Sequence, residues 1–173
     1  LKTSDRRYRF NYHAVNALLA RVYSYAGDST NAIASAEEVI KKSGLELSSN
    51  NQDDPILFSE CICALYKHHL TEALSQFWAD GDKYTTQYFI RSERFNKYFE
   101  VSGNLKEDMR TKTAAFYEHS STKTALSRKY SINSQEAIPL IRLPEMYYIL
   151  AENTSDLTKA AKYLNAVRNK RGY

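Results

Sequence analysis

The pattern that most restricts the fold is a pair of amphipathic helices joined by a glycine near the start of the chain. In the first helix, apolar residues recur at the spacing of one helical stripe: Val15, Leu18, Leu19, Val22, Tyr25 and Ala26. The second helix carries the stripe Ala32, Ile33, Ala36, Val39 and Ile40. Gly27 suits the left-handed end of a helix, and Asp28 or Ser29 can cap the next one. The pattern predicts a helical hairpin near residues 8–43.

A second helical hairpin is predicted near residues 143–171. Pro144 suits the first turn of its first helix, and residues 153–156 form the turn between the helices. The stripe of the first helix is Leu143, Met146, Tyr147, Leu150 and Ala151. The stripe of the second helix is Leu157, Ala160, Ala161, Leu164 and Val167.

Both hairpins resemble tetratricopeptide units, in which bulky and small residues alternate where two short helices cross closely. In the first hairpin the residues at the spacing of that repeat are Leu19, Ala20, Tyr23, Gly27, Ala32 and Ala36. About 100 residues separate the two units, whereas a repeat array needs adjacent units to bury its core. We therefore expect one mainly α domain over residues 1–173 rather than a continuous array.

Between the hairpins, residues 55–135 are rich in aromatic side chains and have weaker periodicity. Residues 57–62 are compatible with a strand or an extended segment, residues 68–78 with a helix or irregular structure, and residues 95–99 with a helix. Residues 111–117 and 129–132 are candidates for a small β-hairpin. We expect irregular loops to make up much of this segment.

The charge of the chain gives little support for a nucleic-acid partner. The net charge is +4, from 24 Lys and Arg against 20 Asp and Glu, and the basic residues are spread along the sequence. No apolar run reaches the roughly 20 residues that cross a bilayer, and no signal peptide opens the chain. Since Leu1 is not methionine, we expect a piece of a longer protein.

Neither the cysteines nor the histidines predict a metal or a cofactor. Cys61 and Cys63 are too close in sequence for an unstrained disulfide, so they are expected to be two buried thiols. His68 and Glu72 would share one face of a helix, as metal ligands do, but no second pair of ligands accompanies them.

The sequence does not predict a catalytic site. Glycoside hydrolysis needs two carboxylates at a defined separation, and Asp108, Glu136 and Glu145 are available, but nothing in the sequence places two of them together. The chain has no Gly-x-Ser-x-Gly elbow, no P-loop and no Gly-x-Gly-x-x-Gly motif. We expect a binding protein rather than an enzyme.

The candidate ligand-binding residues are Trp78, Tyr84 and Tyr88, and Phe89 belongs to the same group of aromatic residues. The C–H patches of sugar rings pack on aromatic faces, while their hydroxyl groups need polar partners. Polar residues Asp80, Asp82 and Gln87 lie in the same segment and could supply hydrogen bonds. The alternative is that Trp78 is a core residue that anchors a loop.

Several segments together resemble the SusD/RagB family of nutrient-uptake proteins. They follow the order of the family over almost the entire chain: residues 16–23 with Gly27, Asp28 and Ala32, then Ser59 to Ile62, then residues 138–148 with Ala151 and Glu152. The ending Leu164, Asn165, Val167, Arg168, Arg171 and Gly172 matches the end of the corresponding family helix. The resemblance rests on the combination, since each segment alone is short.

The resemblance implies a non-catalytic glycan-binding lipoprotein on the outer membrane of a Bacteroidetes-type bacterium. Such proteins bind an oligosaccharide or polysaccharide at the cell surface and deliver it to a SusC-like TonB-dependent transporter. The resemblance also implies a lipid anchor at an N-terminal cysteine outside this chain. It assigns no sugar-binding residue, and it gives Arg21, Arg142, Glu145 and Glu152 polar contacts between helices.

Two other functions stay open from the sequence. A tetratricopeptide adaptor would hold a peptide in the groove between helices, and the wide separation of the two hairpins argues against it. An α-helical glycoside hydrolase would require a cleft with paired carboxylates and would release sugar.

Overall fold

The computed structural model describes residues 6–49, 54–78, 88–99, 108–111, 116–119, 124–130 and 136–172. The helices in these ranges are α1 (Tyr12–Tyr25), α2 (Ser29–Lys42), α3 (Leu70–Trp78), α4 (Ser92–Tyr98), α5 (Leu143–Asn153) and α6 (Leu157–Arg171). The strands are β1 (Cys61–Tyr66), β2 (Phe89–Arg91), β3 (Phe116–His119), β4 (Thr124–Ser127) and β5 (Ala137–Arg142). The predicted mainly α fold with two helical hairpins is confirmed.

The chain divides into two compact units. The first, called here the hairpin unit, comprises residues 1–48, 59–66 and 138–170. The second, called here the sheet unit, comprises residues 49–58, 67–137 and 171–173. A single domain over residues 1–173 stays a prediction. Among the described helices, none is both long enough and apolar enough to cross a membrane.

Side-chain caps define the first hairpin of the hairpin unit. The Asn11 side chain accepts a hydrogen bond from the backbone N–H of Ala14 at 3.0 Å, which starts α1. After α1, Gly27 adopts a φ of 75°, a conformation that favours glycine. Asp28 then accepts from the backbone N–H of Asn31 at 3.1 Å and starts α2. The predicted turn residues therefore perform the predicted roles.

Alanines, rather than the bulky apolar residues, form the buried face of α1. Ala14, Ala17 and Ala20 are fully buried, together with Ala32 and Ala36 of α2. The expected stripe of α1 lies largely outside the core, since its members are all more than one-third exposed: Val15, Leu18, Leu19, Val22 and Tyr25. Small side chains let the two helices approach closely, so alanines rather than bulky residues occupy the interface between α1 and α2. The predicted helix is confirmed, but not the burial of its bulky stripe.

The second hairpin adds its first helix to the same core. Leu143, Met146 and Leu150 of α5 are buried in one cluster with the alanines of α1 and α2. On α6, Val167 belongs to this cluster, whereas Leu157 is 83% exposed and Leu164 is 48% exposed. The predicted stripe of α5 is therefore in the core, and that of α6 is buried only near its C-terminal end.

Strand β1 passes through the core of the hairpin unit and pairs with β5. Cys61 and Cys63 are free and buried, as expected, and the Cys61 thiol donates to the backbone oxygen of Cys63 at 3.1 Å. Burial raises the pKa of the Cys61 thiol to about 11. Before the strand, the fully buried Glu60 carboxylate accepts from the backbone N–H of Ser48 at 2.7 Å. The Ser59 to Ile62 landmark therefore serves the scaffold.

The sheet unit contains a three-stranded antiparallel sheet in the order β2-β4-β3. In β3 and β4, Phe116 pairs with Ser127 and His119 pairs with Thr124. In β2 and β4, Phe89 pairs with Leu126 and Arg91 pairs with Thr124. A β-hairpin is therefore present, but its strands differ from the predicted segments. Strand β3 overlaps the segment 111–117 only at its last two residues, and β4 lies five residues before the segment 129–132.

We predict that enlarging an alanine of α1 destabilises the protein more than truncating its neighbour. Ala17→Leu should lower the free energy of unfolding by about 2 kcal/mol, because the α1–α2 interface has no room for added carbons. Leu18→Ala should cost less than about 1 kcal/mol, because Leu18 is 36% exposed. Urea denaturation followed by circular dichroism measures both. A larger loss for Leu18→Ala would contradict the observed packing.

We also predict that both thiols are unreactive in the folded protein. At pH 8 the buried Cys61 thiol stays protonated because its pKa is raised to about 11, and the thiolate is the reactive form. A colorimetric disulfide reagent should modify both cysteines rapidly in denaturant and neither one without it. Rapid modification of the native protein would show that β1 is accessible.

Candidate functional site

The described part of the sheet unit has a cavity of about 400 Å3 beside β2 and α4. It is lined by Phe89, Ile90, Arg91, Arg94 and Tyr98. Phe89 and Tyr98 are 56% and 66% exposed, so both side chains are accessible from the solvent. Its volume falls within the range of about 300–1,000 Å3 that is typical of small-molecule sites.

The pairing of β2 with β4 and the direct passage from β2 into α4 position these side chains. Phe89 and Arg91 lie two residues apart on a strand and therefore share one face of it. Helix α4 begins at Ser92, immediately after the strand. Arg94 and Tyr98 are four residues apart and lie on one face of that helix. The cavity thus combines residues of β2, including Ile90, with one face of α4.

An aromatic cluster packs around Phe95 of α4. The Phe95 ring lies 4.8 Å from Phe99 and 5.0 Å from Phe116, between ring centroids. The Arg110 guanidinium lies 5.4 Å from the centre of the Phe99 ring and forms an ion pair with the buried Asp108. These contacts fix the short helix against the sheet, so the cavity side chains project from a supported element.

The charge of the cavity is positive. Arg91 and Arg94 form no ion pair with any residue that the structure describes, and none of the described lining residues is acidic. Guanidinium groups donate hydrogen bonds, and aromatic faces accept C–H contacts. The arrangement can therefore bind a ligand that has both a flat apolar surface and oxygen acceptors.

Of the three ligand-binding residues predicted from the sequence, the structure describes the side chain of Tyr88 only. Trp78 is the last residue of α3 and its side chain lies outside the described part, as does the whole of Tyr84. Tyr88 is 61% exposed, its ring centroid lies 5.7 Å from that of Phe77, and its backbone N–H donates to the Phe77 oxygen. Tyr88 precedes Phe89 but does not line the cavity. Ligand binding by Trp78, Tyr84 and Tyr88 stays a prediction.

The sequence analysis grouped Phe89 with the candidate aromatic residues but missed the cavity residues Arg91, Arg94 and Tyr98. One signal was present, because Arg94 and Tyr98 are four residues apart next to a segment that was predicted to be helical. The strand pairing that brings Phe89 and Arg91 to the same cavity has no local signature.

The carboxylates considered for hydrolysis each have another contact. Asp108 pairs with Arg110, and Glu136 accepts from the backbone N–H of His69 at 2.8 Å. Glu145 accepts from Arg21. His69 contacts Glu72 at 3.1 Å, so this carboxylate faces His69 rather than the expected His68. Within the described residues, no group of three or more His, Cys, Asp or Glu side chains could hold a metal ion.

A second concave surface of about 260 Å3 lies between α1 and α5 in the hairpin unit. Its polar centre is the ion pair in which Arg21 donates to both oxygens of Glu145, at 2.6 and 2.8 Å. This hydrogen bonding raises the pKa of the Arg21 guanidinium. Tyr25 and Tyr148, which are 89% and 48% exposed, also line the groove. The expected contact between helices is therefore present for Arg21 and Glu145.

Two solved structures of Bacteroides proteins have a similar fold to this chain. A SusD superfamily protein from Bacteroides thetaiotaomicron VPI-5482 superimposes with a TM-score of 0.68 at 22% identity, over 94% of this chain and 41% of that protein. A candidate sugar-binding protein from Bacteroides vulgatus ATCC 8482 superimposes with a TM-score of 0.70 at 23% identity, over 96% of this chain and 40% of that protein. The chain has a SusD-like fold.

The likeness is one of fold and not of close sequence. No family model and no curated protein sequence matches the chain. The chain spans about two-fifths of the length of the two SusD-like structures. The SusD-like fold confirms the resemblance drawn from the Asn16 to Tyr23 and Ile138 to Tyr148 segments.

We predict a measurable coupling between Arg21 and Glu145. Both side chains are about one-third exposed, so a double-mutant cycle with alanine should give a coupling free energy of about 1 kcal/mol. The more exposed pair Lys41 and Glu37, on one helix, should give about 0.3 kcal/mol and serves as the control. Unfolding free energies of the single and double variants provide the values. Equal coupling in both pairs would contradict a role for Arg21 in joining α1 to α5.

Proposed function

We propose that this SusD-like protein binds a glycan through exposed aromatic side chains of the sheet unit. The observation that carries the proposal is the cavity beside β2 and α4, where Phe89 and Tyr98 are exposed next to two guanidinium groups. The candidate sugar-binding protein from Bacteroides vulgatus, which shares the fold, supports a carbohydrate ligand. Ligand binding by Trp78, Tyr84 and Tyr88, as predicted from the sequence, is part of the same proposal.

The proposed mechanism is passive capture. A sugar ring packs its C–H face on Phe89 or Tyr98, and its hydroxyl oxygens accept hydrogen bonds from Arg91 or Arg94. Because these side chains are exposed, each contact is individually weak, and a chain of several sugars gains affinity from repeated contacts. Rapid dissociation would then allow transfer to a second protein.

We also propose that the captured glycan is delivered to a SusC-like TonB-dependent transporter at the outer membrane. The resemblance to SusD/RagB proteins and the fold shared with two Bacteroides proteins support this location and partner. In this proposal the protein is held at the cell surface by an N-terminal lipid anchor, and it does not cleave its ligand. The separate contacts of Asp108, Glu136 and Glu145 agree with a non-catalytic role.

One observation favours a second function, the binding of a peptide in the groove between α1 and α5. Tyr25 and Tyr148 are exposed there, and Glu152 adds a carboxylate to the same groove. In helical-repeat proteins, a groove between helices of successive hairpins can hold an extended peptide or a helix. This function would use the hairpin unit and leave the sheet-unit cavity without a role.

Affinity electrophoresis of the full-length protein against a panel of polysaccharides tests glycan capture. We expect one polysaccharide to retard the protein, and we expect Phe89→Ala, Tyr98→Ala and Trp78→Ala each to weaken retardation several-fold, since stacking on one aromatic ring contributes about 1 kcal/mol. Tyr12→Ala is the matched control, because Tyr12 is 63% exposed and lies on α1 of the hairpin unit.

The outcomes separate the candidate functions. Retardation that all three variants preserve would move the site away from the sheet unit. Release of reducing ends during incubation would indicate a glycoside hydrolase. Retardation by no polysaccharide, together with peptide binding that Tyr25→Ala or Tyr148→Ala abolishes, would favour the adaptor.

A further inference from the structure

We infer that the cavity beside β2 and α4 is selective for an anionic glycan, whose sugar units carry carboxylate or sulfate groups. The inference rests on the proposed function and adds the charge of the ligand to it. Neither the SusD-like fold nor the aromatic residues predict this property. It follows from the two arginines in the cavity.

The first argument is the absence of a partner for either guanidinium. Arg21 and Arg110 each form an ion pair with a carboxylate, at Glu145 and Asp108. By contrast, Arg91 and Arg94 form no ion pair with any described residue, and none of the described lining residues is acidic. Both side chains line the same cavity, so an anion bound there would give either guanidinium group a partner of opposite charge. The described cavity therefore offers guanidinium donors without a carboxylate that pairs with them.

The second argument is the match between the guanidinium group and an oxyanion. A guanidinium offers parallel N–H donors that fit the two oxygens of a carboxylate, or two oxygens of a sulfate. A neutral sugar hydroxyl oxygen carries no negative charge to attract the guanidinium, and it offers one oxygen where a carboxylate or sulfate offers two or more. Arg91 and Arg94 therefore favour a charged sugar over its neutral counterpart.

The third argument is that the charges and the aromatic faces belong to one cavity. Phe89 shares a strand face with Arg91, and Tyr98 shares a helix face with Arg94. A sugar ring stacked on Phe89 or Tyr98 thus brings its substituents within reach of a guanidinium. The cavity can therefore contact the sugar ring and bind its charged group at the same time.

A single-stranded nucleic acid is the main rival, because its bases stack and its phosphates are anionic. Proteins of that kind follow the backbone with a basic groove that spans about four or more nucleotides. The described cavity offers two cations, and the net charge of +4 is spread along the chain. A charged glycan fits these features better.

Two matched pairs of polysaccharides test the inference with the full-length protein. Polygalacturonate and its fully methyl-esterified form differ only in the charge of the carboxyl group, and dextran sulfate and dextran differ only in sulfation. Biolayer interferometry measures binding of each to the immobilised protein. We expect at least one anionic member to bind about tenfold more tightly than its neutral partner, and added salt to weaken that binding. The preferred pair identifies carboxylate or sulfate as the group recognised.

Charge variants locate the effect. The double variant Arg91→Gln and Arg94→Gln should lose about tenfold or more of the affinity for the anionic member and little for the neutral one. The matched control Arg6→Gln and Arg9→Gln removes the same charge from exposed residues of the hairpin unit and should bind as the parent does. Circular dichroism melting should be unchanged in both, because all four side chains are exposed.

The outcomes distinguish this inference from the proposed function. Equal binding of charged and neutral members, weakened by Phe89→Ala, would overturn the selectivity and keep glycan capture. Preference for oligo(dT) over all four polysaccharides would overturn the inference in favour of nucleic acid. Equal losses in the control and cavity variants would show a general charge effect and overturn it as well. Binding to none of the four, while the electrophoresis panel yields a neutral ligand, would overturn the inference alone.

Discussion

The close packing of α1 on α2 through alanine side chains is the constraint on which the rest of the hairpin unit depends. Ala17 and Ala20 face Ala32 and Ala36 without exposure, so the two helices approach more closely than larger side chains would allow. Helix α5 then packs mainly on α2 and places Met146 in the same core. This packing also brings Glu145 within bidentate reach of Arg21. A bulkier residue at one alanine would disturb both arrangements.

The two helical hairpins could be predicted from the sequence, but which face of each helix is buried could be predicted only in part. Gly27 and Asp28 identified the turn because their local conformations have specific chemistry. Hydrophobic periodicity identified α1 but favoured the wrong face, since it weights Val22 and Leu18 above alanine. The tetratricopeptide spacing named the buried Ala20, Ala32 and Ala36 correctly, because it encodes how closely two helices cross.

The candidate site was less accessible to sequence reasoning. The search for clustered aromatic residues included Tyr88, which contacts Phe77, and ended at Phe89, the first residue of the cavity lining. Phe89 and Arg91 acquire their common cavity through pairing with β4, more than 30 residues later in the chain. Such pairing depends on long-range register, which no local pattern in this segment specifies. The fold class was therefore predictable, while the residues that line the cavity were not.

Methyl NMR of two isoleucines would test the central claim most directly, because each reports on one concave surface. Ile90 lines the sheet-unit cavity and Ile149 lines the groove between α1 and α5. The protein would be labelled at the isoleucine δ1 methyl groups and titrated with an oligosaccharide of the retained glycan. Binding at the sheet-unit cavity predicts a saturable shift of the Ile90 signal with Ile149 unchanged. A saturable shift of Ile149 with Ile90 unchanged would contradict the account and place the ligand in the hairpin unit.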